Sequence, residues 1–201
     1  MSYLVACSGA VHSGKTTFIQ RAITEADIQA ALHENIRATS IKSIDAVRKD
    51  AKAYLNLQID RITAKVAEEN RAMTSASRGV VLADRSLVDS LFYLTFHVSK
   101  ANLDHLQAKR FHVFFQKIVN HLSGRYKAIF LFRPISTQGK SGKFRPKDIC
   151  FSQQTEWEMI RAMTYGFLGH ATPPVSIFEL DATREADVIK AITILKTMQV
   201  T

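Results

Sequence analysis

Two glycines five residues apart, followed directly by a lysine and a hydroxyl, stand near the amino end of the chain in "GAVHSGKTT" (9–17). The stretch satisfies G-x-x-x-x-G-K-[ST] at every position, with the apolar run "YLVAC" before it and the amphipathic "TTFIQRAI" after it. A strand, a glycine turn and a helix in that order let successive amide N–H groups between Gly9 and Gly14 turn inward as a nest for phosphate oxygens. A Cβ at the glycines would obstruct that backbone, and the helix adds its positive N-terminal end. Lys15 is then expected to reach the β- and γ-phosphates of a triphosphate, and Thr16 to offer its hydroxyl to Mg2+. Ser13 and Thr17 complete the expected cofactor-binding set, with Thr17 also placed to start the helix. His12 occupies a variable position and reads as a loop residue.

The second constellation is "RGVVLADRS" (78–86), an apolar strand that ends in a carboxylate. Doubly wound sheets bind ligands at the carboxyl ends of their strands, where the phosphate loop also opens, so Asp84 is expected at that edge. It is a candidate to hold Mg2+ through water or to accept the proton of an attacking hydroxyl, and Arg85 is a candidate to grip a phosphate on the acceptor side. The competing structural reading makes Asp84 the cap of a helix beginning at Ser86. More cations, Arg133, Lys140, Lys143, Arg145 and Lys147, fall in "RPISTQGKSGKFRPKD" (133–148), which has two glycines, two prolines and no apolar period. It is read as an exposed lid loop. Cations that close over a triphosphate stabilise charge moving toward the leaving group, and Arg145, with Arg133 next to it in rank, is the expected transition-state arginine. For any one of these residues a solvated basic loop is the alternative. "ELDATRE" (179–185) closes a last strand, and its turn either borders the adenine or simply caps a helix.

These groups need a frame. Five short apolar segments, 3–8, 37–41, 80–84, 128–132 and 175–180, are rich in β-branched or aromatic residues and are separated by stretches long enough for helices. Continuous apolarity suits strands covered on both faces, so the pattern predicts an α/β fold with a parallel sheet wrapped by helices. Ile44, Val47, Leu55, Ile59, Ile62 and Val66 recur at mostly three- and four-residue intervals and predict one long helix between the second and third strands. Further helices are expected over "LVDSLFYLTFHV", "DHLQAKRFHVFFQKIVNHL", "CFSQQTEWEMIRAMTYGFLG" and "READVIKAITILKTM". No repeat or Pro/Gly-rich linker marks a boundary, and 201 residues with 46% hydrophobic content suit a single domain over 1–201.

Charge and cysteines narrow the partners. Lys+Arg 27 against Asp+Glu 18 leaves a formal +9, which favours polyanions such as nucleotides and nucleic acid. Cys7 and Cys150 are too few for a disulfide framework or a zinc site. No window is apolar enough to span a bilayer and no secretory leader is read, so a soluble cytoplasmic protein without a membrane partner is expected. Nothing marks an obligate protein partner. No D-x-x-G follows the phosphate loop and no N-K-x-D occurs, so the usual guanine-reading parts of a GTPase are missing.

In that order, "GAVHSGKTT", "DRSLVDSL", "GKFRPKD" and "LDAT" resemble the P-loop kinases of the nucleoside and nucleotide kinase group. The likeness is greatest to the small AAA-type ATPase-like kinases common in bacteriophage genomes and related to nicotinamide riboside kinase domains. The resemblance implies a five-stranded parallel sheet of order 2-3-1-4-5 and transfer of the ATP γ-phosphoryl to a hydroxyl or phosphate. It carries Gly9, Gly14, Lys15 and Thr16 to ATP and magnesium, Asp84 and Arg85 to the acceptor, and Arg145 to the lid. The chain departs from thymidylate kinases in its long helix "SIDAVRKDAKAYLNLQID" and in its overall basicity. Some phage members similar to it phosphorylate the 5-hydroxymethyl group of hydroxymethyluracil in DNA, which would place this chain in phage DNA hypermodification in the host cytoplasm. A basic kinase suits a polymeric acceptor, since phosphate contacts add affinity whatever the base sequence. Tyr54, Phe92 and Tyr93 are candidates to support a base taken out of its stack, each also readable as core. A deoxynucleoside or deoxynucleoside monophosphate kinase is the alternative, and a DNA-stimulated NTPase that transfers nothing is a third reading.

Overall fold

The computed structural model describes residues 2–10, 13–31, 50–76, 79–98, 102–135 and 153–200. Within them the chain runs β1 (Ser2–Gly9), α1 (Lys15–Ala26), β2 (Gln29–Ala31), α2 (Ala51–Ser75), β3 (Gly79–Asp84), α3 (Leu87–Val98), α4 (His105–Leu122), β4 (Ala128–Phe132), α5 (Gln153–Leu168), β5 (Ser176–Leu180) and α6 (Glu185–Val200). The five strands form one sheet in the order β2-β3-β1-β4-β5, and every pairing is parallel.

β1, β3, β4 and β5 fall on four of the apolar segments predicted to be strands. The three inner ones are buried almost throughout, as residues covered by helices on both faces must be. The edge strand β2 differs. It lies at Gln29–Ala31, a segment too short and mixed to show a strand pattern, while the expected strand at 37–41 lies outside the described residues. The long helix predicted from residue 44 onward is described from Ala51 and is capped by the Asp50 side chain, which accepts from the Lys52 and Ala53 amides at 2.9 and 3.1 Å. The segment before it lies outside the description. α3, α4, α5 and α6 follow the predicted helices closely, and Asp104 with Gln107 forms a capping box at the start of α4.

Two apolar layers clasp the sheet. One packs α2, α3 and α4 against Leu4, Ala6, Val81, Ala83 and Ile129; the other packs α1 and α6 against Val5, Cys7, Leu82, Phe130 and Phe132. Phe18 of α1 sits edge-on to Phe130 at 5.8 Å and 5.0 Å from Phe132, which fixes the helix that follows the phosphate loop. Cys7 is a buried free thiol in this layer; Cys150 lies outside the described residues. Among the described residues no helix is long and apolar enough to cross a membrane.

Candidate active site

β1 ends and α1 begins around the glycine-rich turn. Gly9 takes φ +126, and a Cβ there would come within 2.4 Å of the Phe132 carbonyl oxygen of β4. Gly14 takes the left-handed conformation at φ 80 as the N-cap of α1, and a Cβ would meet the Ala182 methyl at 2.6 Å. Both positions exclude side chains, for different reasons: Gly9 lets two strands close, and Gly14 lets the "LDAT" turn after β5 pack on the loop. That turn is braced by Asp181, whose carboxylate accepts from the Thr183 amide at 2.9 Å and hydroxyl at 2.6 Å.

Lys15 points inward. Its ammonium donates to the Gly9 carbonyl at 2.9 Å, to the Ala10 carbonyl and to the Ser13 hydroxyl at 2.8 Å, and Ser13 in turn donates to the Ala10 carbonyl at 2.9 Å. Burial pulls the Lys15 ammonium down from an ordinary value near 10.5 to about 7, with Arg85 adding to the drop and Asp89, Asp84 and Glu156 opposing it. A lysine held in this way is ready to exchange carbonyl partners for phosphate oxygens. Thr16 and Thr17 are exposed on the first turn of α1. His12 lies outside the described residues.

Asp84 pairs in register with Cys7 at the carboxyl edge of the sheet, two residues before Gly9, so the phosphate loop and this carboxylate share one edge. Immediately after it Arg85 adopts φ 72, unusual for a residue with a Cβ. Its amide donates to the Cys7 carbonyl at 2.9 Å. Lys65 of α2 braces the same turn from below, donating to the Asp84 and Arg85 carbonyls at 3.3 and 2.8 Å, and is itself paired with buried Glu69 at 3.0 Å. Arg125 reaches the other oxygen of Glu69 at 2.6 Å. These opposed charges hold the Glu69 carboxyl below its usual range despite its burial.

The helix-capping reading of Asp84 is corrected here. Ser86 and Asp89 cap α3: the Asp89 carboxylate accepts from the Ser86 amide at 2.8 Å, and the Ser86 hydroxyl accepts from the Asp89 amide at 3.3 Å, the S-x-x-[DE] capping box. Asp89 goes further, because the same fully buried carboxylate accepts from the Gly9 amide at 3.0 Å and from the Ser8 hydroxyl. It therefore joins the phosphate loop to the Asp84–Arg85 turn. Asp89 was not among the expected site residues, although "SLVD" at 86–89 carries the capping-box signal.

Of the three aromatic candidates, Tyr93 adjoins these groups. Its ring lies 5.2 Å from the Arg85 guanidinium carbon, and its hydroxyl accepts from Arg85 at 3.1 Å while donating to Glu156 of α5. Phe92 is packed in the core with Leu131 and Ile160, and buried Tyr54 accepts from Gln58 at 2.7 Å. Glu156, also missed from the sequence, is buried. Burial works against the Arg85 charge, but Tyr93, Asp89, Asp84 and Glu156 together hold it more firmly protonated than a free arginine.

Arg133 sits apart from this cluster. About half exposed, it pairs with Glu179 at 3.1 Å and lies 5.8 Å from the Trp157 ring, in a group that includes Arg161. Residues 136–148 of the expected lid, Arg145 among them, lie outside the described residues. Thr16 and Asp84 offer hard oxygen donors of the kind Mg2+ takes when most of its shell is water and phosphate. Among the described residues no group of three or more His, Cys, Asp or Glu could hold a metal by itself.

Residues 4–149 match the AAA domain family. No curated protein matches the chain. Among solved structures, NadR protein in complex with NR superposes with a TM-score of 0.71 at 19% identity over 100% of this chain and 52% of its own. NadR in complex with NAD and AMP-PNP gives 0.63 at 16%, over 100% and 50%. This chain thus spans about half the length of the NadR chains. Deoxyadenosine kinase from M. mycoides with bound dCTP gives 0.62 at 16% identity, covering 96% of this chain and 99% of that one. At these identities the likeness is one of fold.

Proposed function

The chain belongs to the AAA domain family, and from that premise we propose that it is an ATP-dependent phosphotransferase built as a single domain over 1–201, acting on a nucleic-acid or nucleotide acceptor. The observation that carries this reading is the joint made by Asp89, which ties the Gly9 amide of the phosphate loop to the Ser86 amide beside Asp84 and Arg85. A triphosphate-binding turn and a carboxylate–arginine pair held in fixed relation are the two halves a phosphoryl transfer needs.

In this reading the amides from Gly9 to Gly14, with Ser13, Lys15, Thr16 and Thr17, bind the triphosphate, and Lys15 trades the Gly9 and Ala10 carbonyls for β- and γ-phosphate oxygens. Mg2+ would be held by Thr16 and, through water, by Asp84, and would neutralise phosphate charge. The acceptor oxygen attacks the γ-phosphorus and the bond to the β,γ-bridging oxygen breaks. ADP leaves with the electron pair, and the acceptor proton passes to Asp84. Arg85 faces the acceptor. Arg145, with Arg133, supplies positive charge to the leaving group as the 133–148 segment covers the nucleotide.

The favoured acceptor is the 5-hydroxymethyl group of hydroxymethyluracil in DNA, a phage hypermodification step carried out in the cytoplasm, supported by the +9 charge and its attraction for a polyanion. Incubation with ATP and a hydroxymethyluracil-containing duplex, followed by digestion to nucleosides, should yield phosphomethyl-deoxyuridine. Absence of that product together with turnover of free deoxynucleosides would move the assignment to a deoxynucleoside kinase. The match along 99% of the M. mycoides deoxyadenosine kinase favours that second reading. Nucleotide hydrolysis stimulated by DNA with no phosphorylated acceptor would reject both.

A further inference from the structure

The turn that carries Asp84 and Arg85 holds a backbone conformation that it would not keep unaided. Arg85 sits at φ 72, a region that a residue with a Cβ keeps only when its surroundings over-determine it. β1 and α3 supply two restraints: the Arg85 amide donates to the Cys7 carbonyl at 2.9 Å, and the Ser86 amide to the Asp89 carboxylate at 2.8 Å. Two more come from outside those elements. Lys65 of α2 donates to the Asp84 and Arg85 carbonyls at 3.3 and 2.8 Å. The hydroxyl of Tyr126, just before β4, accepts from the Leu87 amide at 2.9 Å, one of the amides at a helix start that no helical carbonyl can take.

These last two restraints share one anchor. Glu69, fully buried in α2, accepts from the Lys65 ammonium at 3.0 Å and from the Tyr126 hydroxyl at 3.3 Å, while the Arg125 Nε donates to its other oxygen at 2.8 Å. A lysine ammonium is a rotating donor on a flexible stem, and the Glu69 carboxylate, one helical turn away, fixes where the buried Lys65 points. A phenol has a single proton. With that proton committed to Glu69, the Tyr126 oxygen turns a lone pair to the Leu87 amide. One carboxylate thus sets both ends of the turn, the carbonyls of 84 and 85 and the amide of 87.

We propose that Glu69 is a positioning residue for the transfer: through Lys65 and Tyr126 it fixes the backbone of residues 84–87, and with it the aim of the Asp84 and Arg85 side chains, while touching neither reactant. This rests on the phosphotransferase reading and deepens it. A group that must meet one proton or one oxygen loses rate steeply when displaced, and a shift of about 1 Å is worth about 10²-fold. Loosening one of the two links is expected to cost part of that.

The test gives the full chain ATP with a panel of deoxynucleosides, their 5′-monophosphates and hydroxymethyluracil-containing duplex, and reads kcat, the KM for ATP and the urea midpoint together. Lys65→Met keeps the aliphatic stem and Tyr126→Phe keeps the ring, and each removes one link between Glu69 and the turn. Each should lower kcat about tenfold while the KM for ATP stays within about twofold of the parent's. The double variant should lose less than the product of the two, since both links act on one turn. Glu69→Gln should slow transfer at least as far as either. Ile192→Val, in the α6 layer on the other face of the sheet, shows the effect of lost stability alone and should leave kcat unchanged. Where Glu69→Gln or Lys65→Met does not fold, Tyr126→Phe decides. Parental kcat in Tyr126→Phe, or a loss of kcat that Ile192→Val matches, overturns the inference while leaving a phosphotransferase. No transfer to any acceptor by the unaltered chain overturns the phosphotransferase reading and this inference with it.

Discussion

The phosphate loop and the proposed acceptor side share one edge of the sheet but are assembled in opposite ways. The loop draws its groups from the consecutive stretch Gly9 to Thr17, mostly backbone amides and carbonyls. The proposed acceptor side is gathered from β3, α2, α3 and α5, and joins side chains such as Tyr93 and Glu156, 63 residues apart in the chain. A local device tolerates change elsewhere as long as its turn is kept, whereas a gathered one depends on every helix that carries a piece of it. Asp89 is where the two meet.

Breaking the local half should have the largest effect. Lys15→Ala removes the only side-chain cation of the loop and is expected to lower kcat by about 10³-fold, with circular dichroism and melting behaviour close to those of the parent chain. Near-parental turnover would refute the assignment of the loop. Asp89→Ala strikes both halves together, leaving the Gly9 and Ser86 amides without their acceptor, and should reduce stability by about 3 kcal/mol, read as a lower denaturation midpoint in urea. A loss under 1 kcal/mol would show that water replaces the carboxylate and that the joint is not structural.

Asp84→Asn confines the damage to the gathered half. It should slow phosphoryl transfer by about 10²-fold while nucleotide affinity, measured by titration calorimetry, changes little. The comparison can be sharpened by pH. Lys15 sits near 7 in the free protein and near 10.5 in an unfolded chain, so between those values the unfolded chain binds more protons and this group makes stability rise with pH. A bound triphosphate draws the proton back, so binding at pH 8 should take up close to one proton and weaken as pH rises above 7. Calorimetry in two buffers of different ionisation enthalpy measures that uptake, and Lys15→Ala should abolish it. The smallest effect on stability belongs to Arg133→Ala, which removes an exposed pair with Glu179 and should change it by less than about 1 kcal/mol.

What could be read from residues alone follows the same division. The phosphate loop, the parallel arrangement of strands and most helix spans were legible, because each is written in neighbouring residues: the glycine spacing, the continuous apolar runs, the three- and four-residue rhythm of Ile59, Ile62 and Val66. The place of Asp84 and Arg85 at the sheet edge was legible because the end of a buried strand has a known place in such a sheet. β2 escaped notice because three residues at an edge are shaped by pairing with β3 and show no periodicity of their own.

The chain by itself thus determined where a triphosphate could be cradled, since backbone amides in a turn need only the right consecutive residues. The tertiary structure alone decided what faces that cradle. Nothing along the chain set Asp89, Glu156 and Lys65 apart as site residues; packing buries each beside a particular opposite charge or donor. Burial turns an ordinary ionic side chain into one that must be matched, and no spacing along the chain encodes which distant partner will do so.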